Sequence, residues 1–311
     1  MNDISDAENP ELAARARLNQ LGLEFGFDKL PYRLDKMFPK LKGWGAKGDI
    51  KKKVKLIKQM EPILPDALLP DEEIYYISKG IQHSTFEAMT IGALWSNLIN
   101  QTVFVLTNLR LIMFHTNTKG KPKETSWQIY YSEIKKFKKA LMSSVLKLNL
   151  NDGTKLQFTG FSNLDKKTMP QLFEETMATF KELDFQPECS QSRENLCGRC
   201  YEIVPKSQYA CKSCNTEFWR PNEVAVRSLI IPSWGDFLLG HKILACVETF
   251  GFIISWIVAA SLLSEGDWVV ALIVVAFTHG LDALVTYLIA RKGLFPKNKK
   301  GTSLPAPQTE S

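Results

Sequence analysis

Cys197, Cys200, Cys211 and Cys214 carry the clearest chemistry in this chain. Two CxxC pairs separated by ten residues have the spacing of a zinc ribbon, in which two short hairpin turns each present two thiolates to one tetrahedral ion. Four thiolates saturate zinc and leave no position for water, so the expected zinc is structural and not catalytic. It would supply on the order of 10 kcal/mol towards folding the segment. Cys189, eight residues upstream, is read as a bystander.

A second set of reactive groups, Glu248, His279 and Asp282, sits inside two long apolar runs. Ionisable residues there are expensive and mark either function or a hydrogen-bonded clasp. Glu248 and Asp282 lie at nearly the same distance from the loop joining the runs. His279 precedes Asp282 by three positions and shares its helical face. Two readings stand: an interhelical clasp near the headgroups, or a proton or metal site of an intramembrane enzyme or transporter component. Elsewhere there is no Ser/His/Asp, Cys/His or phosphate-loop constellation, and the expected protein is not an enzyme.

These groups need elements to hold them. The apolar runs, Ile243–Leu263 and Trp268–Ala290, are 21 and 23 residues long, enough at about 1.5 Å per residue to cross a bilayer core of roughly 30 Å. Four residues, Ser264 to Asp267, join them, which forces a transmembrane hairpin (243–290) of neighbouring antiparallel helices. Lys242 precedes the first run and Arg291, Lys292, Lys297, Lys299 and Lys300 follow the second, while the loop has no Lys or Arg. The positive-inside rule then puts both termini in the cytoplasm, as a two-helix integral membrane protein. A net charge of +6, gathered in a polar front half, suits a partner of anionic membrane lipids. The acidic start at Met1–Glu8 has no basic stretch leading into an apolar one, so no cleavable signal is expected.

Ahead of the hairpin, 227–242 mixes apolar residues with Pro232, Gly235 and Gly240. It is expected to be an interfacial lead-in with Trp234 at headgroup depth. Within the ribbon (195–221), Arg199, Lys206, Lys212 and Arg220 stand against Glu202 and Glu217, a balance that argues for a protein contact or spacer over a membrane-tethered nucleic-acid binder. The tail, 291–311, is basic and then polar, and its end is expected to be disordered.

The N-terminal region (1–70) predicts a short helix over Pro10–Phe27 and a basic amphipathic helix between Lys40 and Lys58, where Ile50, Val54 and Ile57 fall on one face. Lys51, Lys52, Lys53 and Lys55 are its candidates for the membrane surface. The same pattern fits a helix packing its Ile/Val stripe on the next domain. From Asp71 the period changes to two. Ile74–Ile81, Thr102–Thr107, Leu109–His115, Thr125–Tyr130, Ile134–Phe137, Val145–Leu150 and Lys155–Thr159 read as seven strands, followed by an amphipathic helix over Met169–Leu183.

Leu69-Pro70-Asp71-Glu72-Glu73, then Val105-Leu106-Thr107-Asn108-Leu109-Arg110-Leu111, Ile134, the turn at Leu148 to Gly153 and a closing helix together resemble the bacterial pleckstrin-homology-like domains related to the GRAM group, over 71–184. The resemblance implies a seven-stranded barrel closed by its C-terminal helix, serving as a binding module for lipid or protein and without catalytic residues. Pleckstrin-homology folds that bind phosphoinositides use a basic loop between their first two strands. The matching segment here, His83–Asn100, has no Lys or Arg and is apolar. Two fates are open to it: dipping into the bilayer interface, or packing on the barrel. Lys119–Lys123 and Lys135–Lys139 supply further basic clusters, as solvated strand edges or as attraction to anionic lipid. The whole is an α+β multidomain membrane protein: a scaffold or adaptor that presents a PH-like module and a zinc ribbon at the inner leaflet, with a protein partner on the PH-like domain.

Overall fold

The computed structural model describes residues 9–23, 29–139, 145–183 and 185–297. The disorder expected near the C-terminus lies outside the described residues, as do residues 24–28 of the stretch expected to be helical from Pro10 to Phe27; the helix itself stops at Gln20. Asn9 accepts hydrogen bonds from the Glu11 and Leu12 amides at 3.1 and 3.3 Å and, with Pro10, starts helix α1 (Pro10–Gln20). A short α2 (Leu34–Met37), the basic α3 (Ala46–Met60) and α4 (Leu64–Ala67) follow. In α3 the residues Ile50, Val54 and Ile57 are buried, as their spacing requires of one helical face.

The seven expected strands all form: β1 (Ile74–Gln82), β2 (Gln101–Thr107), β3 (Arg110–Thr116), β4 (Pro122–Tyr130), β5 (Ile134–Lys139), β6 (Leu146–Leu150) and β7 (Lys155–Thr159). They do not close into a barrel and they are not alone. Among the described residues the sheet is a curled, fully antiparallel half-barrel of nine strands in the order β5-β6-β7-β1-β2-β3-β4-β8-β9. The extra two, β8 (Glu194–Cys197) and β9 (Ile203–Val204), come from the cysteine segment. The physical reason is the edge at β4. After β4 the chain leaves through a 3-10 turn and returns on the far side of β1, so β4 pairs with β3 on one side and its other edge finds no partner among the first seven strands. Thr125 to Gln128 pair instead with Cys197 to Glu194, covering an edge that would otherwise expose its amides and carbonyls.

Alternation along the strands divides the core in two. Ile77, Val103, Val105, Ile112 and Phe114 face α1 to α4 on one side. Tyr76, Phe104, Leu106, Leu111 and Met113 face α7 (Asp165–Glu182) on the other. The central strands are therefore buried on both faces. Two buried ion pairs lock the layers. Arg110 grips Glu72 through Nε (2.9 Å) and Nη2 (2.7 Å) and also donates to the Ala67 carbonyl at 2.8 Å, while the Thr107 hydroxyl donates to the same carboxylate at 2.6 Å. Lys53 crosses from α3 to Asp165 at 2.9 Å, and the Tyr76 hydroxyl donates to that carboxylate at 2.7 Å.

Between β1 and β2 the apolar segment forms a broken helix, α5 (Thr85–Glu87), a π-turn at Ala88–Gly92 and α6 (Ala93–Ile99). It neither lies free nor covers the sheet. Ile91, Trp95 and Ile99 pack with Val285 and Ile289 at the base of the hairpin, leaving Met89 and Leu94 exposed. The hairpin consists of α10 (Lys242–Ser264) and α11 (Trp268–Ala290), both long and apolar enough to cross a membrane. The lead-in is mostly helical: α8 (Pro221–Ile230) lies along α11, and α9 (Trp234–Leu238) follows a left-handed Ser233.

Candidate metal centre and hairpin base

The two CxxC turns are built alike. Cys197 N–H donates to the Glu202 carbonyl and Tyr201 N–H returns to the Cys197 carbonyl, each at 2.9 Å; Cys211 with Thr216, and Asn215 with Cys211, repeat both bonds at the same distance. Tyr201 and Asn215, each directly after the second cysteine of its pair, have φ of 58° and 53°. That left-handed residue turns each strand end so that two thiols point the same way. All four Sγ atoms lie within 4.8 Å of one another, with Cys197–Cys214 and Cys200–Cys211 at 3.5 Å. A tetrahedral ion with bonds of about 2.3 Å would want sulfurs about 3.8 Å apart, so the donor set fits zinc in number, type and spacing. Cys197 and Cys211 are buried, while Cys200 and Cys214 are partly exposed. Burial pushes the Cys197 thiol up to about 11. Burial acts the same way on Cys214 but is outweighed by hydrogen bonds from the Thr216 hydroxyl (3.1 Å) and amide, which bring it down to about 7. Gly198 sits so close to β4 that a Cβ would lie 2.0 Å from the Glu124 carbonyl oxygen. The cysteine turn is thus pressed onto the sheet and does not hang from it.

At the hairpin base Glu248 and Asp282 meet a third carboxylate. Asp236, from α9, brings an oxygen within 4.8 Å of both, forming a set of hard oxygen donors. Asp236 receives the Thr286 hydroxyl at 3.0 Å and lies 3.2 Å from His241 Nδ1. Asp282 receives the Ser233 amide at 2.9 Å. Ser228 and Thr286 share a hydrogen bond of 3.1 Å, and Gly235 N–H donates to the Ser228 hydroxyl at 3.0 Å. A Cβ at Gly235 would fall 2.4 Å from Thr286 Cγ2, so the close approach of α9 to α11 needs glycine there. His279 does not join this set. Its Nδ1–H donates to the Leu229 carbonyl at 2.8 Å, and the ring lies against Phe252 and Trp256.

The chain after α11 then sews three parts together. Trp127 Nε1–H and Arg193 Nη2–H both donate to the Lys292 carbonyl at 2.8 Å, and the Thr125 hydroxyl donates to the Leu294 carbonyl at 2.9 Å. Trp219 N–H donates to the Phe295 carbonyl at 2.8 Å and Lys297 N–H to the Glu217 carbonyl at 2.9 Å. The Lys292 ammonium reaches Asn100 at 3.0 Å and pairs with Glu87. Burial pulls the Lys292 pKa down, and Glu87 opposes it. His115 completes the junction by bonding the Ile99 carbonyl. Burial, with Lys123, His241 and Lys292 nearby, holds it well below the ordinary histidine range.

Of the lysines read as surface candidates, Lys51, Lys52 and Lys55 are exposed but Lys53 is not. It turns inward because Asp165 and the Tyr76 ring and hydroxyl await it. Trp234 is 42% exposed beside the hairpin. Sequence reasoning missed Asp236, His241, Ser228, Ser233 and Thr286. The available signal was a carboxylate and a histidine among the apolar residues and glycines of the lead-in.

Residues 68–175 match the family model of the bacterial PH domain. A solved structure similar to this chain is the crystal structure of the C-terminal domain of an unknown protein from Leishmania infantum, 13% identical, covering 39% of this chain and 93% of that one with a TM-score of 0.26. No curated protein matches the chain.

Proposed function

We propose that this chain is a non-enzymatic scaffold or adaptor anchored in a membrane by its hairpin, with the PH-like module and a structural zinc centre held on the cytosolic side and both termini cytosolic. The observation that carries the reading is the strap at 292–297. It hydrogen-bonds the exit of α11 to β4, to Arg193 just before β8, and to the segment after the cysteine turns. A binding module tied in this way cannot swing on a linker, so whatever it binds is held at a set height and orientation over the bilayer. PH-like domains commonly bind lipid or protein, which makes a protein partner on this module the working expectation. The positive flank of α11 against a loop without Lys or Arg supports the orientation.

A cysteine introduced at Asp267 should react with a membrane-impermeant maleimide added to sealed cells, and one at Lys297 should react only after permeabilisation. The reverse pattern would overturn the orientation. Cross-linking in intact membranes should recover a protein partner from the full chain and lose it when Arg110→Met loosens the PH-like module. Partners that persist unchanged in that variant would place the binding elsewhere.

A further inference from the structure

A groove of about 350 Å³ opens where α6 meets the hairpin, within the size range of small-molecule sites. Ile91 and Trp95 supply one wall and the hairpin helices the other. Glu248 and Asp282 line it, and among the described residues no Lys, Arg or His side chain does. Glu248 Oε2 is buried and accepts no hydrogen bond. Behind the pair stands Asp236, with one oxygen from each of the three carboxylates within 4.8 Å of the others. Asp236 is met by the Thr286 hydroxyl and His241, and Asp282 by the Ser233 amide, which leaves Glu248 as the open acceptor. Its terminal torsion is soft, so either oxygen can turn to the groove. Enclosed carboxylates without a counter-charge are costly, and the groove is where a counter-charge can enter.

An alkylammonium carries three N–H donors, as a lysine side chain does. Two charge-assisted bonds of about 2.8 Å at a tetrahedral nitrogen span oxygens roughly 4.6 Å apart, a separation that Glu248 and Asp282 allow. Trp95 and Phe252 add aromatic walls, which attract an ammonium through the ring quadrupole. A bare divalent ion suits the groove less, because hard cations take about six or more oxygens and most of the lining beyond the two acids is apolar. Past Glu248 the groove continues along Gly251 and Ser255, neighbours on one face of α10. No atom lies within 4 Å of where a Gly251 Cβ would sit. From Leu244 to Ser255 the lining extends roughly 16 Å along the helix, the reach of a hydrocarbon chain. The depth of the acids selects the headgroup. Glu248 lies six residues inside Lys242 and Asp282 nine residues inside Arg291, so both acids are deeper than the basic flank. A phosphate would be held at that flank with its ethanolamine further out, whereas an amine attached directly to its chain reaches the acids.

We propose that the groove between α6 and the hairpin binds a long-chain primary amine, with its ammonium between Glu248 and Asp282 and its chain along Gly251. The proposal rests on the hairpin lying in a bilayer. The test is photolabelling of the full chain in phosphatidylcholine vesicles with octadecylamine that carries a mid-chain diazirine, mapped by mass spectrometry. Labelling of 91–95 and 251–255 should fall about tenfold under a tenfold excess of plain octadecylamine, as competition for one saturable site requires, while labelling of the outer face at 269–273 stays. Octadecanol, octadecyltrimethylammonium and phosphatidylethanolamine should not compete, since the first lacks the charge, the second the N–H donors and the third the depth. Equal competition by any of them, or by millimolar magnesium chloride, would overturn the proposal. Glu248→Gln removes the charge and Gly251→Leu fills the groove, so each should lose the competed labelling, whereas Leu272→Ala should keep it. Competed labelling that survives both of the first two variants would place the amine elsewhere and sink the proposal. Carbonate washing of the same vesicles separates the two readings: a chain that washes off overturns the anchoring and the proposal with it, and a retained chain without competed labelling overturns the proposal alone.

Discussion

Where α3 meets the sheet, Ile50, Val54 and Ile57 are sealed against Ile77, Val103 and Ile112, and Lys53–Asp165 is the ion pair that ties α3 to α7. Where the hairpin meets the sheet, apolar packing of Ile99 on Val285 and Ile289 is threaded with polar contacts: Trp127, Thr125 and Arg193 on backbone carbonyls, Lys292 on Glu87 and Asn100, and Asp236 on Thr286 and His241. The first junction is mostly non-directional apolar packing, pinned by Lys53 on Asp165 and on the Ile77 carbonyl. The second is a set of directed bonds with short reach, so it fixes the angle between hairpin and sheet. The cysteine centre belongs to the second, because β8 pairs with β4 beside the strap.

The largest way to break this contrast is to remove the zinc proposed for the cysteine turns. Chelation, or Cys200→Ser, should cost on the order of 10 kcal/mol of local folding and release zinc measurable by metal analysis. Hydrogen exchange should rise at 194–218 and spread to Thr125–Gln128, leaving α3 protected. Exchange confined to 197–216 would show that the centre is not part of the hairpin junction. At the apolar junction, Ile57→Ala should cost about 2–5 kcal/mol, read as a lower Tm with the hairpin's own protection unchanged.

Acid should act on the polar junction. The folded pKa of His115 lies below its unfolded value near 6.5, so the unfolded chain binds the extra proton. Stability is therefore full above about pH 6.5 and falls below it by up to about 1.4 kcal/mol per pH unit until the folded pKa is reached. His115→Gln should flatten that slope in thermal melts between pH 4.5 and 7, about the range in which histidine titrates; an unchanged slope would assign it to other groups. The smallest effect sharpens the contrast. Thr286→Val keeps the shape but removes the hydroxyl on Asp236, and should cost about 1 kcal/mol while raising exchange in α9 more than in α10. Equal effects on both helices would mean that α9 is held by packing alone.

Several features could be read directly from residues because their cause is local. The seven strands follow from alternation, the α3 stripe from Ile50, Val54 and Ile57, the hairpin from two uninterrupted apolar runs, and the cysteine turns from CxxC spacing. The motif around Asn108-Leu109-Arg110 marked the PH-like domain for the same reason. The buried partner that makes Arg110 matter, Glu72, lies 38 positions away, and only the folded chain brings the two together.

What the sequence by itself determined is the kind of those elements whose pattern is local, the seven strands, α3, α7, the hairpin helices and the CxxC turns, since these depend on neighbours within a few positions; β8, β9, α8 and α9 took their form in the fold. Tertiary structure alone decided which edge β8 would cover, that Lys53 would turn inward to Asp165 while Lys52 and Lys55 stayed out, and that Asp236 would replace His279 beside Glu248 and Asp282. Each of those outcomes depends on which unmet donor, acceptor or charge lies within a few ångströms after packing. Hydrogen bonds and ion pairs are short-ranged in space and indifferent to separation along the chain.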